Sequence, residues 1–83
     1  MSALGELVEA LRQVEERLDQ VRGQLSQGRK SLTEAQSALA KLDPEHPETV
    51  VPPGFARADD QIERTQGLVE HAIDTLRGFV TRL

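Results

Sequence analysis

Apolar residues recur at alternating gaps of three and four through both halves of this chain, and a cluster of prolines separates the halves. The first half carries Leu4, Leu7, Leu11, Val14, Leu18, Val21, Leu25, Gly28, Leu32, Ala35, Leu39 and Leu42 at this spacing. The second carries Phe55, Ala58, Ile62, Thr65, Val69, Ala72, Leu76, Phe79 and Leu83. Only Gly28 and Thr65 interrupt the apolar character. A repeat of 3.5 residues sustained this long demands an α-helix with one continuous seam. Two such helices joined by a turn make an antiparallel helical hairpin. The fold class expected is therefore all-α, a coiled-coil-like two-helix hairpin forming a single domain over residues 1–83.

Helix 1 is expected over about residues 3–42, with Ser2 as N-cap and Glu6 in the first turn, where the helix dipole favours a carboxylate. Gly23 and Gly28 weaken its middle by about 1 kcal/mol each relative to alanine. Just beyond them Ser31-Leu32-Thr33-Glu34 has the form of a capping box. A break at Gly28, giving three helices, is the alternative. The apolar phase passes through Gly28 without slipping, and that favours one helix. The connection is expected over residues 43–54, where Pro44, Pro47, Pro52 and Pro53 cannot continue a helix. Pro44 to His46 suits one helical turn, and Val50 and Val51 suit a lid over the closed end. Helix 2 is expected over about residues 55–82.

If the two seams face each other, opposed residues sum to about 97 by the length of the turn. Leu39 then faces Ala58, Ala35 faces Ile62 and Gly28 faces Val69, a large residue against a small one in each layer. Toward the open end both partners become large: Leu18 meets Phe79 and Val14 meets Leu83. There Leu68, Ile73 and Val80 widen the seam of helix 2, and Val8 widens that of helix 1. Leu4, Leu7 and Leu11 extend past the end of helix 2. An interface is therefore expected at Leu4, Leu7, Val8, Leu11, Val14, Leu18, Leu68, Ile73, Leu76, Phe79, Val80 and Leu83. A buried Leu or Val contributes about 1.5–3 kcal/mol, so a patch of this kind asks for a cover. The expected cover is a second copy, making an antiparallel four-helix bundle, most simply a homodimer. The rival is a different protein partner.

Chemistry finds little to work with. The chain has no cysteine and two histidines, so no metal site and no cofactor is expected. No nucleophile elbow, P-loop or HExxH pattern occurs, and no catalytic residue is assigned. His71 reads as a solvent-side helical residue and His46 as a shaper of the turn. Glu15, Glu16 and Asp19 read as a solvated acidic cluster. A net charge of −4 with scattered basic residues and only two aromatic rings argues against nucleic acid as a partner. No apolar run reaches the length of a membrane span. The N-terminus lacks a basic region followed by an apolar core, so the expected location is the cytoplasm, with leaderless export left open.

A long heptad helix is followed here by a turn holding His46-Pro47-Glu48 and Pro52-Pro53-Gly54. A second helix then ends Leu76-Arg77-Gly78-Phe79-Val80-Thr81-Arg82-Leu83. In these features the chain resembles small, poorly characterised actinobacterial helical-hairpin proteins. It is similar also to N-terminal helical segments of secreted deaminase-type toxins. The resemblance implies an accessory, targeting or partner-presenting role near a toxin or secretion system. The architecture is similar to the WXG-type hairpins of type VII secretion, although no Trp-X-Gly stands at the turn and no tyrosine-based signal follows helix 2. The expectation is a non-catalytic interaction module that self-associates. A heteromeric adaptor or chaperone-like subunit is the second reading.

Overall fold

In a computed structural model, which describes residues 2–83, the chain is two long helices folded back on each other. Helix α1 spans Ala3–Ala40 and helix α2 spans Pro53–Arg82. A single 3-10 turn, Pro47–Thr49, lies between them. There is no strand among the described residues. The Cα envelope measures 64 × 16 × 14 Å, a rod two helices wide.

Local chemistry fixes each end. Ser2 is the N-cap, with extended backbone, and its Oγ accepts a hydrogen bond from the Gly5 amide at 3.1 Å. α1 stops at Ala40, two residues before the expected end. The next intrahelical donor to the Ala40 carbonyl would be the nitrogen of Pro44, which carries no hydrogen. α2 begins at Pro53, two residues earlier than expected. Proline suits the first turn of a helix, and Pro52 in extended conformation serves as its N-cap. A hydrogen-bonded turn covers Pro44 to His46, closed by the His46 amide on the Asp43 carbonyl at 3.1 Å, and a 3-10 turn follows it at Pro47–Thr49. Pro47 supplies the fixed φ at its first position, and Thr49 Oγ1 donates to the His46 carbonyl at 2.8 Å. Val50 and Val51 are half-buried at the closed end.

α1 runs unbroken through Gly23, Gly28 and the Ser31–Glu34 stretch. Ser31 does not open a new helix there, and the Thr33 hydroxyl donates to the Arg29 carbonyl one turn back.

The register differs from the one the apolar seams imply. Cross-links between the helices join Glu15 to Arg77, Ser26 to Gln66 and Arg29 to Glu63. These three pairs sum to 92 rather than 97, and the other two cross-links, Arg29 to Asp59 at 88 and Arg29 to Gln66 at 95, fall on either side of that value. Polar side chains bridge the helices at this register: Arg29 clamps Asp59 and Glu63, and Gln66 spans from Arg29 to Ser26. Ile73, 1 % exposed, is the one fully buried side chain among the described residues. Every other residue between the helices keeps one flank open, as two helices alone enclose no interior layer.

Candidate interaction face

Heptad letters organise the surface. The half-buried positions that recur along α1 at gaps of three and four are Val8, Leu11, Glu15, Leu18, Arg22, Leu25, Arg29, Leu32, Gln36 and Leu39. Those of α2 are Phe55, Asp59, Ile62, Gln66, Val69, Ile73, Leu76 and Val80, with Ile73 buried outright. These are the a and d positions of the hairpin. The d series (Leu11, Leu18, Leu25, Leu32, Leu39, with Ile62, Val69 and Leu76) is wholly apolar. The a series is mixed, with Glu15, Arg22, Arg29, Gln36, Asp59 and Gln66 among it. In an antiparallel pair the e positions of both helices lie on one side of the seam and the g positions on the other. The core is therefore lopsided, with charge toward the e side and hydrocarbon toward the g side.

The e side is closed by polar bonds. Arg29 Nε donates to Asp59 Oδ1 at 2.8 Å and its Nη2 to Oδ2 at 3.3 Å, a fork on a carboxylate. Arg29 Nη1 reaches Gln66 Oε1 at 3.4 Å, and Gln66 Nε2 donates to Ser26 Oγ at 3.2 Å. Arg77 Nε donates to Glu15 Oε1 at 2.5 Å. The hydrogen bond to Asp59 holds the Arg29 guanidinium above its ordinary pKa against the opposing effect of partial desolvation, and the charges of Asp59, Glu63 and Asp60 add to it. The bond to Glu15 raises Arg77 likewise. Glu15 is thus a bridge between helices, whereas Asp19 pairs with Arg22 along α1. A cleft of about 350 Å³ lies on this side, lined by Arg12, Glu15, Glu16, Asp19 and Arg77.

The g side carries no such bonds. Its stripe on α1 is Leu7, Val14, Val21, Gly28 and Ala35, and on α2 it is Ala58, Thr65, Ala72 and Phe79. The small alanines of the stripe are half-buried, but its large side chains are wet. Leu7 is 44 %, Val14 41 %, Val21 37 % and Phe79 45 % exposed. The c positions flanking this stripe include Ala10, Ala38 and Leu68, and Leu68 is 70 % exposed. Across all g and c positions of both helices only Arg17 and Arg82 carry charge, and no carboxylate occurs. Every acidic residue of α1 and α2 sits at a, b, e or f.

Of the residues expected at an interface, Leu4, Leu7, Val14, Leu68, Phe79 and Leu83 are exposed and lie on this face or at its open end. Leu11, Leu18 and Leu76 are d residues, half-buried, with their outer flank turned toward it. Val8, Ile73 and Val80 are a residues and pack within the hairpin. Ile73 has no surface left for a second chain. The face also extends further toward the turn than the open end alone, through Gly28, Ala35, Ala58, Thr65 and Ala72. Gly28 meets no atom within 4 Å where a Cβ would stand, so close packing inside the hairpin does not account for it.

His71 is exposed on the outer surface of α2. His46 shapes the turn: its amide donates to Asp43 Oδ1 at 3.2 Å and its carbonyl accepts from Thr49. A second cleft, about 500 Å³, lies at the closed end between α1 and the proline turn, lined by residues that include Ala40, Pro47, Val51 and Ala56. Among the described residues no three histidine or acidic side chains converge as a metal site would require. Among the described residues no helix is long and apolar enough to cross a membrane.

No protein-family model, curated protein or solved structure matches the chain.

Proposed function

We propose that this chain is a non-catalytic protein–protein interaction module that pairs with a second copy of itself, two hairpins forming a four-helix bundle. One observation carries the reading: d and g residues together make a single uncharged face along one side of the hairpin. Two helices cannot cover it, and a four-helix bundle buries just such a face on each of its helices. About two-fifths of each large g side chain is still wet, so covering it contributes roughly 1 kcal/mol per residue. The face is about 57 Å long by helix rise and 16 Å wide, on the order of 900 Å² per copy. A stable interface buries roughly 1,200–2,000 Å² over both partners, and two such faces supply it.

The module acts in the cytoplasm on this reading, with no cofactor, and the charged outer surfaces remain free to present to other proteins. An accessory place beside a toxin or secretion system is the setting implied by the resemblance to deaminase-toxin segments. Sedimentation of two variants tests the self-association. Val21→Glu puts a carboxylate in the middle of the face and should return the protein to a single-chain mass. Gln27→Glu, on the outer surface, should leave the assembly intact. A Val21→Glu protein that keeps the assembled mass would refute the face as the self-interface.

A further inference from the structure

We infer that the second copy docks with its ends reversed, the open end of one hairpin lying over the closed end of the other. The inference rests on the self-association proposed above and adds the geometry of the partner. The g stripe is tapered: large residues, Val14, Val21 and Phe79, crowd the open end. Small ones, Gly28, Ala35 and Ala58, line the end near the turn.

Two arrangements with a two-fold axis can cover the face. If the axis runs along the bundle, like ends meet and α1 of one copy lies on α2 of the other. Hairpin register then sets Val14 level with Phe79 and Ala35 level with Ala58. The two middle layers, Val21 with Ala72 and Gly28 with Thr65, still pair a larger residue with a smaller one, but in the outer layers large meets large at one end and small meets small at the other, leaving voids. If the axis crosses the bundle, α1 lies antiparallel on α1 and α2 on α2. Val14 then meets Ala35, Val21 meets Gly28, and Phe79 meets Ala58. Each large residue fills the space left by a small one, and Leu7 meets Leu42 at the rim. Gly28 acquires a use here, since its bare backbone receives Val21 of the second copy.

A second check is independent of residue size. The α1 pairs are centred between Gln24 and Leu25, and the α2 pairs between Leu68 and Val69. Gln24 and Leu68 stand opposite each other in the hairpin, since 24 and 68 sum to 92 as Glu15 with Arg77, Ser26 with Gln66 and Arg29 with Glu63 do. A single axis therefore satisfies both helices at once.

The chain has no cysteine, so engineered thiols report the arrangement directly. Gln24 is exposed and lies beside the predicted axis. Gln24→Cys under mild oxidation should give mostly covalent dimer, and Gln27→Cys should give little. In the like-ends arrangement the two Gln24 positions lie diagonally across the bundle, beyond disulfide reach. There the double variant Gln24→Cys/Leu68→Cys would link copies and Gln24→Cys alone would not. That outcome, with a dimeric mass retained, overturns the reversed docking and leaves self-association standing. A dimer that forms neither link overturns the docking and the assigned face together. A single-chain mass overturns the self-association on which both rest.

Discussion

Arg29 of α1 grips Asp59 of α2 through a forked hydrogen bond, 2.8 Å from Nε and 3.3 Å from Nη2, across thirty residues of sequence. This clamp, with Glu63 and Gln66 around it, ties the two helices together at one register. A helical hairpin held by hydrocarbon alone can shift by a heptad at modest cost, because one apolar layer resembles the next. A charged layer admits one partner layer, which makes it a device for register.

The clamp predicts a specific pH dependence. Arg29 is raised above its ordinary value, so its contribution is present below that value and lost only as pH rises through the still higher folded one. The native protein should therefore lose nothing from this pair up to about pH 11. Arg29→Lys places in the same site a group that titrates near 10.4 when free. Its partners raise that value on folding, so stability is full below about 10.4 and falls as pH climbs through the folded value. Thermal midpoints of the two proteins, measured from about pH 8 to 11.5, should separate progressively above about pH 10. Parallel curves would mean that the clamp contributes nothing to folding.

Ile73 is the one place among the described residues where a hairpin this thin closes completely around a side chain. Ile73→Ala should destabilise by about 2–4 kcal/mol, read from urea unfolding at fixed protein concentration. In a Val21→Glu background, which holds the hairpin as a single chain, the exposed Leu68 changed to Ala should cost under about 0.5 kcal/mol. Similar losses at the two sites would contradict the assigned core.

The glycines separate helix propensity from packing. Gly23 and Gly28 are both helical, without positive φ, and both have open space where a β-carbon would stand. Gly23→Ala lies at a b position away from the face and should stabilise by about 0.4–1 kcal/mol. Gly28→Leu also removes a flexible residue, but it fills the hollow assigned to Val21 of a second copy. It should raise helicity at high dilution and weaken assembly, and circular dichroism with sedimentation on the same samples distinguishes the two effects. An assembly indifferent to Gly28→Leu would remove the role assigned to that hollow.

The sequence makes the helices and the turn legible because heptad periodicity and proline chemistry are local. It misleads on register for a physical reason. The apolar residues at gaps of three and four occupy d and g, whereas the hairpin closes on a and d. Hydropathy selects the most apolar stripe on each helix, and here that stripe is shared between the neighbouring helix and the bare face. The a positions hold Glu15, Arg22, Arg29, Asp59 and Gln66, residues that a hydropathy pattern assigns to solvent. A signal was nevertheless present: a sum of 92 sets Glu15 against Arg77 and Arg29 against Glu63, with Asp59 one turn along α2 from Glu63. The same shift explains why Ile73, expected on the outward patch, lies inside the hairpin.

Molar mass tests the self-association of the face formed by d and g residues most directly. Sedimentation equilibrium should be run on the unaltered chain over a wide concentration range, with helicity recorded on the same samples. The expected result is a helical species of twice the 9.2 kDa chain mass that dissociates only on strong dilution. A well-folded, fully helical species that holds 9.2 kDa at every concentration would contradict it.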